Sequence, residues 1–322
     1  MKKIILSFPV FLVMIELNAM EYFVNKQGSD ANEGTSREKA FATIQKGVDA
    51  LQTGDILTVG PGEYFESVRR KNLGSEEKDT LIRAEIRGTA LMRGDMPAPQ
   101  FRKVEGYRFV YLADFDRPAQ AVNEVDTLMT MAKNTNFSGL EYQPGEFCYD
   151  AEAKKLYIST TDLEPPDRHL YTVSVIKSNG LWLEEPVRVI VDGLAFTGFN
   201  TDTASGWGPD STKSGLFMEK PVRCVVRHCV AYLNSAGLML TMEGAGRSNL
   251  IEHCVAYGNY SPLNGEGCNI QVLGPNQDTI RNCYGYWGRD HNISIYGRVK
   301  DAAQTGWIKN CLAWGAWLDL QQ

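Results

Sequence analysis

Val226-Arg227-His228-Cys229-Val230-Ala231-Tyr232 recurs as Ile251-Glu252-His253-Cys254-Val255-Ala256-Tyr257, then as Ile280-Arg281-Asn282-Cys283-Tyr284-Gly285-Tyr286, then as Ile308-Lys309-Asn310-Cys311-Leu312-Ala313-Trp314. The cysteines lie 25, 29 and 28 residues apart, and a degenerate copy, Ile190-Val191-Asp192-Gly193-Leu194-Ala195-Phe196, precedes them by 36 residues. Self-similarity at such a period marks stacked supersecondary units, none of which buries its apolar face alone. A second phrase follows each copy: Gly215-Leu216-Phe217-Met218, Gly237-Leu238-Met239-Leu240, Asn269-Ile270-Gln271-Val272, Asn292-Ile293-Ser294-Ile295 and Trp317-Leu318-Asp319-Leu320. Its alternation reads as a strand, with Leu216, Leu238, Ile270, Ile293 and Leu318 in one inward file and Met218, Leu240, Val272, Ile295 and Leu320 in the next. Units of 22 to 32 residues leave no room for a crossover helix. The expected fold class is therefore all-β, a coil of short parallel strands.

In such a coil, equivalent residues of successive turns sit about 4.8 Å apart and form ladders. Asp192, His228, His253, Asn282 and Asn310 make one expected ladder, at a tight turn where side chains of this kind bond neighbouring backbone. His228 and His253 are thus read as turn residues and not as catalysts. Cys229, Cys254, Cys283 and Cys311 read as an inward stack, since free cysteine behaves as a small buried hydrophobe. Phe196, Tyr232, Tyr257, Tyr286 and Trp314 follow three residues on, as a packing stripe. With Cys148, Cys224 and Cys268 the thiols number seven, an odd count without a metal-type Cys-x-x-Cys, so most are read as buried and unpaired, with a Cys224–Cys229 or neighbouring ladder bridge left open.

The chain has 322 residues, 43% of them hydrophobic, enough for one elongated domain. Residues 1–19 form a candidate signal peptide: Lys2 and Lys3 precede the apolar stretch Ile4 to Ile15, and Ala19 sits at the expected cut. Export to the extracellular space or periplasm is the expectation, with no membrane attachment after cleavage; because Leu17 makes the cleavage box imperfect, an uncleaved anchor is the alternative. Net charge is −6 for the whole chain, yet residues 211–322 carry ten Lys or Arg against eight Asp or Glu. That surface tolerates an anionic glycan but is too weakly basic to argue nucleic acid.

Residues 20–100 read as a cap and the first turns. Phe41, Ile44, Val48 and Leu51 fall at helical spacing, with Thr35 or Ser36 as N-cap and Gly54 as the stop. Strands are expected at Tyr22-Phe23-Val24 and Asp55 to Val59. The run from Tyr22 to Tyr64, YFVNKQGSDANEGTSREKAFATIQKGVDALQTGDILTVGPGEY, resembles the opening of secreted right-handed parallel β-helix proteins of the pectate-lyase-like superfamily, among them family nine polysaccharide lyases and related glycosidases. The resemblance implies a right-handed coil, a polysaccharide partner and an extended outward face for binding it. Residues 101–185 break the repeat and read as a β insertion: Gly145 to Asp150 and Lys155 to Ser159 form a hairpin, and Pro165-Pro166 a linker. Residues 186–322 carry the remaining turns, with no obvious C-terminal cap.

Two long loops, Thr201 to Ser214 and Asn259 to Gly267, precede second-phrase strands and mark the face where function belongs. Hydrolysis needs two carboxyl groups flanking the scissile bond. From Asp210, Glu219, Glu243, Glu266 and Asp290, the choice falls on Glu266 and Asp290 as acid and base or nucleophile, with His291 and Arg289 positioning substrate. Asn269, Gln271, Asn292 and Tyr296 are expected to line the groove. Elimination from a uronate-containing glycan is the alternative, with Arg289, Asp290, His291, Arg298 and Lys300 supplying base and cations, and calcium as the one cofactor it would recruit. Otherwise neither metal nor cofactor is expected, the protein is expected to be a monomer, and a non-catalytic glycan-binding role is the third reading.

Overall fold

The computed structural model describes residues 19–201, 213–241, 246–263, 267–297 and 305–315. Glu266, Asp210, Glu243, Arg298, Lys300, the strand expected at Trp317 to Leu320 and the signal segment before Ala19 lie outside the described residues.

The protein is a right-handed parallel β-helix with an N-terminal helical cap and a β insertion. Three parallel sheets wall the coil. The first ends with Val189–Asp192, Val225–Arg227, Leu250–Glu252, Asp278–Arg281 and Gly306–Lys309. The second runs through Gly62–Tyr64, Ala90–Arg93, Ala195–Thr197, Val230–Tyr232, Val255–Tyr257, Tyr284–Tyr286 and Leu312–Trp314. The third stacks Val68–Lys71, Leu181–Glu184, Ser214–Glu219, Ala236–Thr241, Cys268–Leu273 and His291–Tyr296.

Register follows the inward files read from the sequence. Leu216 pairs with Leu238, Leu238 with Ile270 and Ile270 with Ile293, while Met218, Leu240, Val272 and Ile295 pair alongside. The four repeat thiols are equally regular: Cys229, Cys254, Cys283 and Cys311 each lie 3.6–3.8 Å from a backbone carbonyl of the preceding turn. No disulfide joins any of the seven cysteines. Burial of Cys254 between Cys229 and Cys283 pushes its thiol well up, and burial of Cys224 pushes its thiol up to about 12, so both behave as apolar packing groups.

The corner between the first and second walls turns through a left-handed residue on each repeat: Gly193 at φ +78°, His228 and His253 at +53°, Asn282 at +53° and Asn310 at +51°. That conformation costs most L-residues about 1–2 kcal/mol and is easiest for Gly and Asn. It also corrects the reading of the degenerate copy by one residue. Asp192 pairs with Arg227, and Thr197, not Phe196, pairs with Tyr232. Asp192 therefore stands beside the ladder, where its carboxylate accepts from Arg227 Nε at 2.7 Å and meets His228 Nδ1 at 2.9 Å. Phe196 is fully buried in the core. The outward aromatic column is Tyr232, Tyr257, Tyr286 and Trp314, stacked at 5.2, 4.9 and 5.4 Å between centroids.

The cap helix is shorter than its apolar spacing predicts. It spans Ile44–Ala50, and its N-cap is Thr43, not Thr35 or Ser36. Asp30 fixes that start by accepting from the amides of Ala42 and Thr43 and from the Thr43 hydroxyl, and the Glu66 carboxylate takes the next two amides, Ile44 and Gln45. Side chains thereby satisfy amides that the first helical turn leaves without partners.

After Ala90–Arg93 the chain leaves the coil and re-enters it at Leu181–Glu184. The excursion builds a four-stranded and a five-stranded sheet, with the hairpin Glu146–Asp150 and Lys155–Ser159 paired antiparallel. It has a core of its own, including Phe115, Val122, Met131, Phe147, Leu156, Ile158 and Val173. The excursion and both long loops leave from one corner, between the second and third walls. That shared corner sets the location of the site.

Candidate functional site

A cleft of about 850 Å³ separates the excursion from the later turns of the coil. Thr127 to Thr130, Gln143 to Glu146 and Thr161 line one side; Gly258, Tyr260, Trp287, Arg289 and Gly315 line the other. Lys133 N–H donates to Pro262 O at 2.9 Å, tying the two sides together.

Trp287 occupies a left-handed corner position, φ +53°, that neighbouring turns fill with Gly198, Leu233, Gly258 and Gly315. A bulky residue there is strained, and strain of this kind persists where the surroundings over-determine it, often at functional sites. Trp287 is 46% exposed and meets Tyr286 and Trp314 edge-on at 6.3 and 5.9 Å. Arg289 lies with its guanidinium 4.5 Å from the Tyr260 ring centroid, and partial burial lowers its pKa. The Glu146 carboxylate accepts from Asn134 Nδ2 at 2.7 Å.

His291 begins the strand His291–Tyr296 of the third wall, and Asp290 immediately precedes it. Asp290 N–H donates to Gly267 O at 3.1 Å, Asp290 Oδ2 lies 2.8 Å from His291 Nδ1, and Cys268 Sγ lies 3.9 Å from the same nitrogen. Asp290 and His291 thus come together, while Arg289, one residue earlier, turns into the cleft.

The four residues expected to line a groove divide differently. Asn269 and Asn292 are 0% and 5% exposed, not outward. Both belong to an internal amide ladder: Asn234 Nδ2 donates to Asn259 Oδ1, Asn259 Nδ2 to Asn269 Oδ1, and Asn269 Nδ2 to Asn292 Oδ1, at 3.0, 2.7 and 2.7 Å. The same amides reach the carbonyls of Tyr232, Ala231, Tyr286 and Trp314, so the ladder closes the corner's backbone bonding from turn to turn. Gly288 stands where another ladder asparagine would, and a Cβ there would come within 2.8 Å of Asn269 Nδ2. Gln271 is buried as well and donates to Ser294 Oγ at 3.1 Å. Its Oε1, with Thr241 Oγ1 and Trp182 Nε1 on the same wall, is buried and has no hydrogen-bond partner among the described residues. Tyr296 is 60% exposed and faces solvent.

Sequence reasoning missed Tyr260, Trp287, Glu146 and Cys268. For Cys268 a signal existed: it precedes Asn269-Ile270 as His291 precedes Asn292-Ile293, which placed thiol over imidazole.

Neither a protein-family model nor a curated protein matches the chain. Solved structures do match. One is of XylC in complex with xylose, at 13% identity and a TM-score of 0.58, covering 91% of this chain and 63% of that one. Another is a pectate lyase, Pel9A, at 13% identity and 0.52, covering 90% of this chain and 52% of that one. A third is a glycoside hydrolase, at 11% identity and 0.50, covering 86% and 77%. The chain therefore spans less than two thirds of the length of the first two. At these identities the likeness is one of fold.

Proposed function

We propose that this protein is exported, acts on a polysaccharide, and holds the sugar chain in the cleft between excursion and coil. The observation that carries the reading is Trp287, a strained, half-exposed ring that shares with Tyr260 the lining of a cleft open to solvent. Aromatic faces suit the apolar faces of pyranose rings. Arg289, with its guanidinium against Tyr260, brings positive charge to the cleft wall, so a glycan with carboxylate-bearing sugars fits best. Neighbours of the same fold point to the same substrate class, since one holds xylose and another is a pectate lyase.

The reaction we assign is glycoside hydrolysis, with Asp290, next in the chain to the cleft-lining Arg289, and Glu266 as the carboxyl pair and His291 orienting Asp290 through their 2.8 Å contact. The test is incubation of the purified chain with neutral and uronic polysaccharides, following reducing ends and the unsaturated product of elimination together. New reducing ends without unsaturation, reduced at least about a hundredfold by Asp290→Asn, support hydrolysis. Unsaturated product identifies elimination instead, and silence on both readouts with retained binding leaves a glycan-binding protein.

A further inference from the structure

We propose that Cys268, Asp290 and His291 form a binding site for a borderline-soft divalent cation of the Zn²⁺ type. Their donor atoms, one thiol sulfur, one imidazole nitrogen and one carboxylate oxygen, all lie within 4.8 Å of one another. Bonds of about 2.0–2.3 Å to a tetrahedral centre put donors about 3.3–3.8 Å apart. The separations here, 3.9 Å from Cys268 Sγ to His291 Nδ1 and 2.8 Å from Asp290 Oδ2 to the same nitrogen, reach that range by small side-chain rotations.

The scaffold that sets these distances is rigid. Cys268 and His291 are paired residues on adjacent strands of the third wall, and the amides of Asp290 and His291 both point at Gly267 O, at 3.1 and 3.5 Å. Two successive turns of the coil therefore act as one clamp. Exposure grades across it: Cys268 is 1% exposed, the Asp290 side chain 16% and the His291 side chain 50%. A cation bound there has protein on its sulfur side and water on its imidazole side, the arrangement of three protein ligands with an open fourth position. The donor set also selects the ion. Calcium and magnesium require shells of oxygen ligands, whereas sulfur with imidazole favours zinc and its transition-metal neighbours.

Binding displaces the thiol proton, so affinity rises with pH. The site rests on geometry alone and does not depend on the glycan reading. It bears on that reading in one way: a carboxylate that ligates a cation is withdrawn from acid–base work, so loading the site lowers hydrolysis if Asp290 performs it.

Cobalt is the probe, because a cobalt–thiolate bond gives a charge-transfer absorption that nitrogen and oxygen ligands do not. The full-length chain, stripped with a chelator, is titrated with Co²⁺ and then with Zn²⁺. The expected result is a charge-transfer band that saturates at one ion per chain and is displaced by Zn²⁺. Cys268→Ser abolishes the band, whereas Cys283→Ser, in the core stack, leaves it. His291→Gln, at a half-exposed side chain that folding does not require, weakens Co²⁺ binding by roughly tenfold or more. A native chain without the band overturns the proposal, as does a band of unchanged affinity in both Cys268→Ser and His291→Gln.

Discussion

The coil and the excursion solve the same problem by opposite means. In the coil every stabilising column repeats: inward aliphatics, thiols beneath carbonyls, stacked rings and the asparagine ladder all join one turn to the next. In the excursion nothing repeats, and stability comes from antiparallel pairing around a closed core of its own. A coil distributes its stability over nearest-neighbour interfaces, while a closed core concentrates it. The cleft lies where the two meet, so one wall can be perturbed without the other.

The largest effect comes from emptying either core. Leu238→Ala, in the inward file, is expected to cost about 2–5 kcal/mol, and so is Leu156→Ala in the excursion. All six tryptophans lie outside residues 95–174, and Trp182, Trp307 and Trp314 stand on strands of the coil, so their emission is weighted toward the coil. Denaturant unfolding of Leu156→Ala should show a circular-dichroism transition that precedes the change in tryptophan emission; coincident transitions in that variant would mean that the two regions unfold as one unit.

Next comes the amide ladder. Asn259→Ala removes the acceptor for Asn234 and the donor to Ala231 O, both buried, and should cost about 2–3 kcal/mol by chemical denaturation. The ring column is worth less. Tyr257→Ala should lose about 1–1.5 kcal/mol of coil stability, while Tyr257→Phe keeps the stacking and should lose under about 0.5 kcal/mol.

The smallest effect is confined to the excursion and depends on pH. His169 lies 2.8 Å from Asp126, 3.3 Å from Asp162 and 3.7 Å from the buried Glu124, and its ring meets Tyr171 edge-on. The hydrogen bond that the ring donates to the Asp126 carboxylate leads in raising its pKa, against burial, which lowers it. A histidine whose folded pKa exceeds its unfolded value of about 6.5 stabilises fully below that pH, and the benefit is lost as pH rises through the folded value. Stability of the native excursion should therefore fall on going from about pH 6 to about pH 9, a window set by that unfolded value, and His169→Gln should flatten the fall. Equal slopes in both proteins would remove the histidine from the account.

The coil was legible because its information is periodic. Cys229, Cys254, Cys283 and Cys311 fixed the turn length, and the apolar residues of the second phrase fixed which face points inward. Matching by polarity puts the degenerate copy one residue out, at Asp192, whereas the column is defined by a left-handed backbone that Gly193 supplies. Asn269 and Asn292 were read as outward by strict alternation, but at the start of a strand the corner's open carbonyls drew both amides inward. An insertion able to wall one side of a groove is readable from the broken repeat, but the residues that face each other across the cleft are not: Thr127 and Trp287 are 160 residues apart and share no repeat. Asp290 and His291 are sequence neighbours and were found together, whereas Cys268 required knowing that one turn sits over the next.

Register between turns is the central claim, and disulfide capture reads it directly. One double variant carries Thr197→Cys with Tyr232→Cys, residues that pair across the second wall; the other carries Phe196→Cys with Tyr232→Cys, in which the first side chain points into the core. After mild oxidation and peptide mass mapping, the account predicts a bridge between positions 197 and 232 and none between 196 and 232. A bridge through position 196, or none in either variant, would contradict it.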